Sequence, residues 1–283
     1  MPHPAEPADR TIGAVLTARI AEQTARLVVL AAAARAEQPD AVHQLRITCR
    51  RLRSTLRVFR AALPEDAARV AGELAWLGGA LGRARDAEVL AARLLGQARE
   101  LPADAGRGEV VADLAEWERE QRLLAGPEVL AALDGPRFAA LPPALDALGA
   151  APLPGRAARP AGPELDRALR REYRRAARRV RAAERATPGP ATETALHEAR
   201  KAAKRARYTG ETAGAPAARF TARMKSVQDV LGRHQDAVVA CRTLRELSDG
   251  GFGYGVLYGR QFAAAARARE EFPEVWRRVA KAV

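Results

Sequence analysis

With 283 residues and a formal net charge of +13, the chain is long enough to bury one large core or two ordinary ones, and its charge favours an anionic partner: nucleic acid, a membrane surface or a phosphate polymer. Two cysteines in apolar helical surroundings exclude a disulfide framework, and no apolar run approaches the length of a bilayer span. Only four of the 47 basic residues are lysine, a bias that a GC-rich genome can impose, so the placement of charge says more than its sum.

Residues 1–10 read as a frayed tail without the charged start and apolar stretch of a signal peptide, which together with the cysteines predicts a cytoplasmic protein. Beyond it, helical periodicity predicts helices over 11–37, 40–62, 65–98, 108–125, 127–148, 164–186, 191–212, 216–247 and 253–281. Strand and hairpin signals are almost absent, so the fold is expected to be all-α. The Pro- and Gly-rich stretch GAAPLPGRAARPAGP, 149–163, reads as a linker between residues 11–148 and 164–283.

The second predicted helix carries the most informative pattern. Val42, Leu45, Cys49, Leu52, Leu56, Phe59 and Leu63 recur at spacings of 3 and 4, the mark of a buried seam. One residue further on, the same spacing yields His43, Arg46, Arg50, Arg53, Arg57 and Arg60, a cationic ribbon along the edge of that seam, with no acidic residue between Ala41 and Leu63. Like charges at these separations destabilise a helix by roughly 0.2–0.5 kcal/mol per pair, so the ribbon requires carboxylates from other helices or an external polyanion.

The pattern returns after the linker. His43, Arg46, Arg50, Arg51 and Arg53 reappear 154 residues later as His197, Arg200, Lys204, Arg205 and Arg207, with Lys201 alongside. Leu81-Gly82-Arg83-Ala84-Arg85-Asp86 reappears 150 residues later as Leu231-Gly232-Arg233-His234-Gln235-Asp236. Two motifs in the same order predict a duplicated helical unit, repeat 1 over 11–148 and repeat 2 over 164–283. The repeats are not identical. Leu45, Cys49 and Leu52 correspond to Ala199, Ala203 and Ala206, which requires different packing, and Leu56 corresponds to Gly210, which predicts an earlier helix end. A further arginine row, Arg167, Arg171, Arg174, Arg178, Arg181 and Arg185, precedes the second ribbon, with Glu172 and Glu184 near it.

A duplicated HxxRxxxRRxR helix followed by LGxxxDA resembles the CHAD family, the conserved histidine α-helical domain, and the closing segment 251–278 is similar to that family's end. The resemblance implies a single compact domain of two pseudo-symmetric four-helix bundles around a basic central channel. It also implies non-catalytic binding of inorganic polyphosphate, with placement at polyphosphate granules. By position, the residues implied to bind are His43, Arg46, Arg50, Arg51, Arg53, Arg57, His197, Arg200, Lys201, Lys204, Arg205 and Arg207, joined by Arg83 and Arg233. Guanidinium groups grip phosphate oxygens in pairs, and spaced rows track a linear polymer.

Asp86 and Asp236 are expected to orient channel arginines through ion pairs or to cap a helix. His234 has no histidine counterpart in the first repeat. Trp76, Trp117 and Trp276 read as core, and packing is the simpler role for Tyr173 and Tyr208. No metal-ligand spacing, nucleotide loop or acid–base pair is present, so neither a cofactor nor an enzymatic role is expected. Binding to nucleic-acid phosphates is the alternative that charge alone would allow; no helix-turn-helix or zinc pattern stands out and the ribbons border core seams, while the lack of aromatics among the ribbon arginines argues against a base-stacking single-strand binder. An enzyme acting on polyphosphate would lack the carboxylate cluster that holds magnesium. Oligomeric state has no signature in the sequence.

Overall fold

The structure, a computed structural model, describes residues 10–248 and 250–280 and, of Ala84 and Arg85, the backbone alone. All but the last residue of the predicted tail lies outside this range. Ten α-helices follow in order: α1 (Ile12–Arg35), α2 (Ala41–Val58), α3 (Ala67–Ala98), α4 (Arg107–Asp134), α5 (Pro136–Ala139), α6 (Leu141–Ala150), α7 (Ala161–Glu184), α8 (Pro190–Ala213), α9 (Ala218–Leu247) and α10 (Phe252–Ala280). Among the described residues there is no β-strand, only a single bridge between Thr11 and Pro160. The expected all-α class is what the chain adopts. No described helix is long and apolar enough to cross a membrane.

Two helix boundaries differ from the periodicity reading. Gly126-Pro127 does not end a helix: α4 contains Pro127 and continues to Asp134. Proline's fixed φ is helical and its missing N–H removes one hydrogen bond, a loss the surrounding turns absorb. The break falls at Gly135, whose ψ of 157° leaves the helical region, with Pro136 opening the next turn. The second correction is Gly210. It lies in the last turn of α8, which continues to Ala213, and a Cβ there would collide with Thr221 Oγ1 and come within 3.2 Å of Phe220. The glycine permits close packing between α8 and the start of α9 rather than ending the helix.

The described chain forms two compact units that do not follow the repeat boundary. One takes Met1–Arg83, Pro127–Arg175 and Arg205–Thr221; the other takes Ala84–Gly126, Ala176–Lys204 and Ala222–Val283. Helices α3, α4, α7, α8 and α9 each begin in one unit and end in the other.

In the first unit, α1 packs against α2 and α6. Leu16, Ile20 and Leu27 of α1, the Leu45–Cys49–Leu52–Leu56 seam of α2, and Leu141, Leu145 and Leu148 of α6 are buried. The spacing that defines the seam in the sequence is therefore the spacing that hides it. Trp76 departs from the expected core role: it is half-buried, with the Arg137 guanidinium 4.2 Å above its ring.

The stretch 149–163 is bound down rather than loose. Ile12 N–H donates to Arg159 O and Ala161 N–H to Arg10 O, both at 2.8 Å, and Gly13 leaves no room for a side chain against Leu153 and Ala157. Just beyond it, Glu164 is only 7% exposed and accepts hydrogen bonds from Arg156 (2.9 Å), Arg159 (3.3 Å) and Arg167. Burial alone would raise this carboxyl, but the three guanidiniums outweigh it and hold it below its ordinary 4.5. A carboxyl depressed on folding stabilises the protein above its unfolded value, and that contribution is lost as pH falls through the folded value. Thermal melts should therefore show a stability loss below about pH 4.5 that Glu164→Gln reduces. At neutral pH the same substitution should cost about 1–3 kcal/mol.

In the second unit, Leu90, Leu94, Leu95 and Ala98 of α3, Val110 and Leu114 of α4, Ala240 and Leu244 of α9 and Tyr254 and Leu257 of α10 form one cluster, with Trp117 partly buried against it. Tyr254 is buried yet satisfied, its hydroxyl donating to Asp113 Oδ2 at 2.9 Å. Gly253 allows α10 to start directly on the Ala105 carbonyl. Trp276 is buried, as expected for core.

Candidate functional site

In the first unit, α2 places its ribbon on the edge of the buried seam, as the spacing demands. His43, Arg46, Arg50, Arg51 and Arg53 are half-buried and Arg57 is exposed. The carboxylates that α2 lacks arrive from other helices. Arg51 Nε donates to Glu211 Oε2 at 2.7 Å, and the other oxygen of Glu211 lies 3.3 Å from Arg207 Nε, so one carboxylate ties α2 to the end of α8. One turn along, the buried hydroxyls of Thr55 and Thr212 meet at 3.3 Å. Arg205 Nε lies 2.9 Å from Glu172 Oε2, and Arg171 is 3.5 Å from the same carboxylate while also donating to Val58 O. Glu172 is only 1% exposed, a buried charge held by its cations. Burial pushes the Arg205 guanidinium down; Glu172 opposes this, and Arg175 and Arg171 add to it.

These carboxylates do not neutralise the whole ribbon. Among the described residues, no ion pair reaches Arg53, Arg57 or Arg60, and the buried Nε of Arg53 makes no hydrogen bond. Burial pushes the Arg53 guanidinium down, and the neighbouring Arg57 pushes it further. The spacing thus sets the two guanidiniums where each disfavours the other's charge. Arg46 is engaged differently: its guanidinium rests on Gly82, where a Cβ would stand 3.2 Å from Nη2, and donates to Gly82 O at 3.4 Å. His43 and Arg50 also have interaction partners.

The second unit repeats part of this arrangement with the beginning of α8. His197 Nδ1 lies 2.9 Å from Gln235 Oε1; an amide oxygen only accepts, so Nδ1 is the donor. Gln235 occupies the position that matches Arg85, whose side chain lies outside the described set. Arg200 approaches Gly232 less closely than Arg46 approaches Gly82, since a Cβ added there would stand 3.8 Å from its Nε, and that Nε is buried without a hydrogen bond. Lys201 is exposed and bonded to Glu198; Lys204 is half-buried and partnered. Ala199, Ala203 and Ala206, which replace the larger seam residues of α2, are fully buried. The predicted second ribbon is consequently divided, with His197, Arg200, Lys201 and Lys204 in one unit and Arg205 and Arg207 in the other.

The comparisons with known proteins bear on this geometry. A family model described as the CHAD domain matches residues 18–245. The chain belongs to the CHAD family. Two Mycobacterium tuberculosis proteins, MT2285 and Rv2226, are 33% identical to it over 288 residues, covering 99% of this chain and 54% of theirs. The chain thus spans about half the length of these relatives. Among solved structures, PptA from Streptomyces chartreusis superposes with a TM-score of 0.78 at 23% identity, covering 94% of this chain and 99% of that one. The CHAD domain from the plant Ricinus communis gives 0.73 at 24%, covering 98% and 93%. At these identities the likeness establishes the fold.

Within this CHAD domain, Gly82 of the first Leu-Gly-Arg segment makes room for Arg46, while Arg83 and Arg233 are exposed and paired to Glu128 and Glu271. Asp86 and Asp236 lie inside α3 and α9, so neither caps a helix; Asp86 has an interaction partner, and among the described residues Asp236 has no ion pair. Glu172 and Glu211 also pair with ribbon arginines. The α7 row divides: Arg167 and Arg171 are paired, while Arg174, Arg178, Arg181 and Arg185 are exposed with no ion pair among the described residues. Tyr208 is buried under the Arg207 guanidinium, 4.7 Å from its ring. Burial pushes the Cys49 thiol up to about 12, as suits a core residue. Among the described residues, no group of three or more His, Cys, Asp or Glu is placed to hold a metal ion.

Proposed function

We propose that this CHAD domain binds inorganic polyphosphate through the two ribbons without cleaving it. The observation that carries the reading is Arg53 with Arg57: two guanidiniums bordering a buried seam, repelling one another, with no carboxylate to relieve them among the described residues. A polyanion would supply the missing charge, and guanidinium donors a helical turn apart would meet successive phosphates of a linear chain. Arg200 offers the same buried, unbonded Nε beside His197. The binding set is His43, Arg46, Arg50, Arg51, Arg53, Arg57, His197, Arg200, Lys201, Lys204, Arg205 and Arg207. Arg83 and Arg233 belong to its rim. The reading includes the paired four-helix bundles and basic channel that the family resemblance implies, a cytoplasmic protein and recruitment to polyphosphate granules.

Titration with long-chain polyphosphate, following affinity and melting temperature together, tests this. At saturation near 100 times Kd, ligand linkage stabilises by about 2.7 kcal/mol, or roughly 5–10 °C. Duplex DNA and orthophosphate at equal phosphate concentration should neither stabilise as much nor displace the polymer. Equal behaviour of all three, or no stabilisation by any, would make the arginines a general basic surface.

A further inference from the structure

The second unit has a pocket of about 370 Å³ that the ribbons do not use. It lies between two stripes of helix surface. His234, Val238, Cys241, Arg242 and Arg245 recur along one face of α9, and Phe262, Ala265, Ala266 and Arg269 along one face of α10. Glu193, in the first turn of α8, completes the lining.

Three features give it a chemistry. Its apolar part consists of Val238, Ala265, Ala266 and the Phe262 ring, which is 63% exposed and stacked with Tyr258. Three guanidiniums, those of Arg242, Arg245 and Arg269, line it, and none has an ion pair among the described residues. Its one carboxylate, Glu193, is engaged with the buried ring of His234, Oε2 to Nε2 at 3.4 Å. His234 itself is only 3% exposed. Burial pushes its imidazole down, Glu193 opposes this, and Arg269 adds to it, so the ring stays neutral near pH 7. Three guanidiniums against one carboxylate leave two positive charges beside an apolar surface. That balance suits a phosphomonoester, which carries about −1.5 to −2 at pH 7.

We infer that this pocket binds a small organic phosphomonoester whose body is apolar or aromatic, with the arginines on the phosphate and Phe262, Val238 and the two alanines on the body. An aromatic ring adds contact area that a bare phosphate lacks. The site is separate from the ribbons, since it contains none of their residues.

Cys241 lines the pocket and serves as its reporter, while Cys49 is buried. The experiment measures maleimide labelling of Cys241 by peptide mass spectrometry, with phenyl phosphate, orthophosphate or long-chain polyphosphate present. Phenyl phosphate at several times its Kd should slow labelling about fivefold or more. Orthophosphate at the same concentration should slow it less than about twofold. Arg242→Gln with Arg245→Gln should raise the half-protecting concentration about tenfold or more and leave polyphosphate affinity unchanged, which separates this site from the ribbon reading. Phe262→Ala, at an exposed position that tolerates the change, should erase the preference for phenyl phosphate over orthophosphate. The inference is overturned if phenyl phosphate gives no protection at about 10 mM, a concentration that would saturate any Kd in the millimolar range or below. It is also overturned if orthophosphate or polyphosphate protects equally, or if the preference survives Phe262→Ala.

Discussion

Polyphosphate should bind the double variant Arg53→Glu/Arg57→Glu at least about 100-fold more weakly than the parent protein. A hydrogen bond to a charged group is worth roughly 1.5–3 kcal/mol, and two such losses exceed the 2.7 kcal/mol that a hundredfold change represents, before the added repulsion between carboxylate and phosphate. The fold should survive. Arg53 repels Arg57 in the parent, and no ion pair among the described residues would be broken. The carboxylate introduced at position 53 faces Arg50 at helical spacing, while the two new carboxylates repel each other as the arginines did, so the unliganded variant should stay within about 0.5–1 kcal/mol of the parent. The expected signature is an unliganded melting temperature that holds, together with loss of the ligand-induced increase. Isothermal titration and thermal melts on the same samples read both quantities. Affinity within threefold of the parent, with the fold intact, would remove α2 from the binding surface. The neutral pair Arg53→Gln/Arg57→Gln should lie between the two, which distinguishes lost attraction from added repulsion.

Gly253→Ala should produce the largest loss of stability from a single methyl group. The added Cβ would stand 2.5 Å from the Ala105 carbonyl oxygen and 2.9 Å from Val110 Cγ2. The first of these is backbone and cannot swing aside, so the start of α10 must move off the loop before α4. Overpacking of this kind costs about 2–4 kcal/mol, or roughly 5–12 °C in a chain of this size. Gly255 and Gly259 provide the control on the same helix. A Cβ added at either would meet no atom within 4 Å, and alanine there should stabilise by up to about 1 kcal/mol through helix propensity alone. Thermal melts of the three variants check the contrast, and equal effects would show that helix propensity, not the approach to Ala105, governs position 253.

The features readable in the sequence are those with a local period. A seam at spacings of 3 and 4 and a ribbon one residue away survive translation into structure because both depend only on helical geometry. The partners of the ribbon have no such signal. Glu172 meets Arg205 across 33 positions and Arg51 meets Glu211 across 160, separations set by tertiary packing. The Leu-Gly-Arg repeat is evident, yet its arginines stand out because charge is conspicuous and a missing side chain is not. Gly82 matters for the space it leaves to Arg46. Gly126-Pro127 and Gly210 mislead in the other direction. A proline inside a helix costs about 3 kcal/mol and a glycine about 1 kcal/mol, yet each of these helices continues past its breaker. The four-residue difference between the two repeat offsets also has a physical location. The connection from α2 to α3 spans residues 59–66, and that from α8 to α9 only 214–217.

The crossing of five helices between the two units has a consequence for how such a chain could have arisen and how it comes apart. A gene fragment encoding only residues 1–148 would possess neither α7 nor α8, and hence none of the Glu172 and Glu211 carboxylates that complete the first unit. Neither 11–148 nor 164–283 coincides with a compact unit, because each unit takes segments from both sides of 149–163. Opening either unit strips the ends from helices that the other unit needs, so calorimetry should record one cooperative transition, and proteolysis at 149–163 should release no stable half.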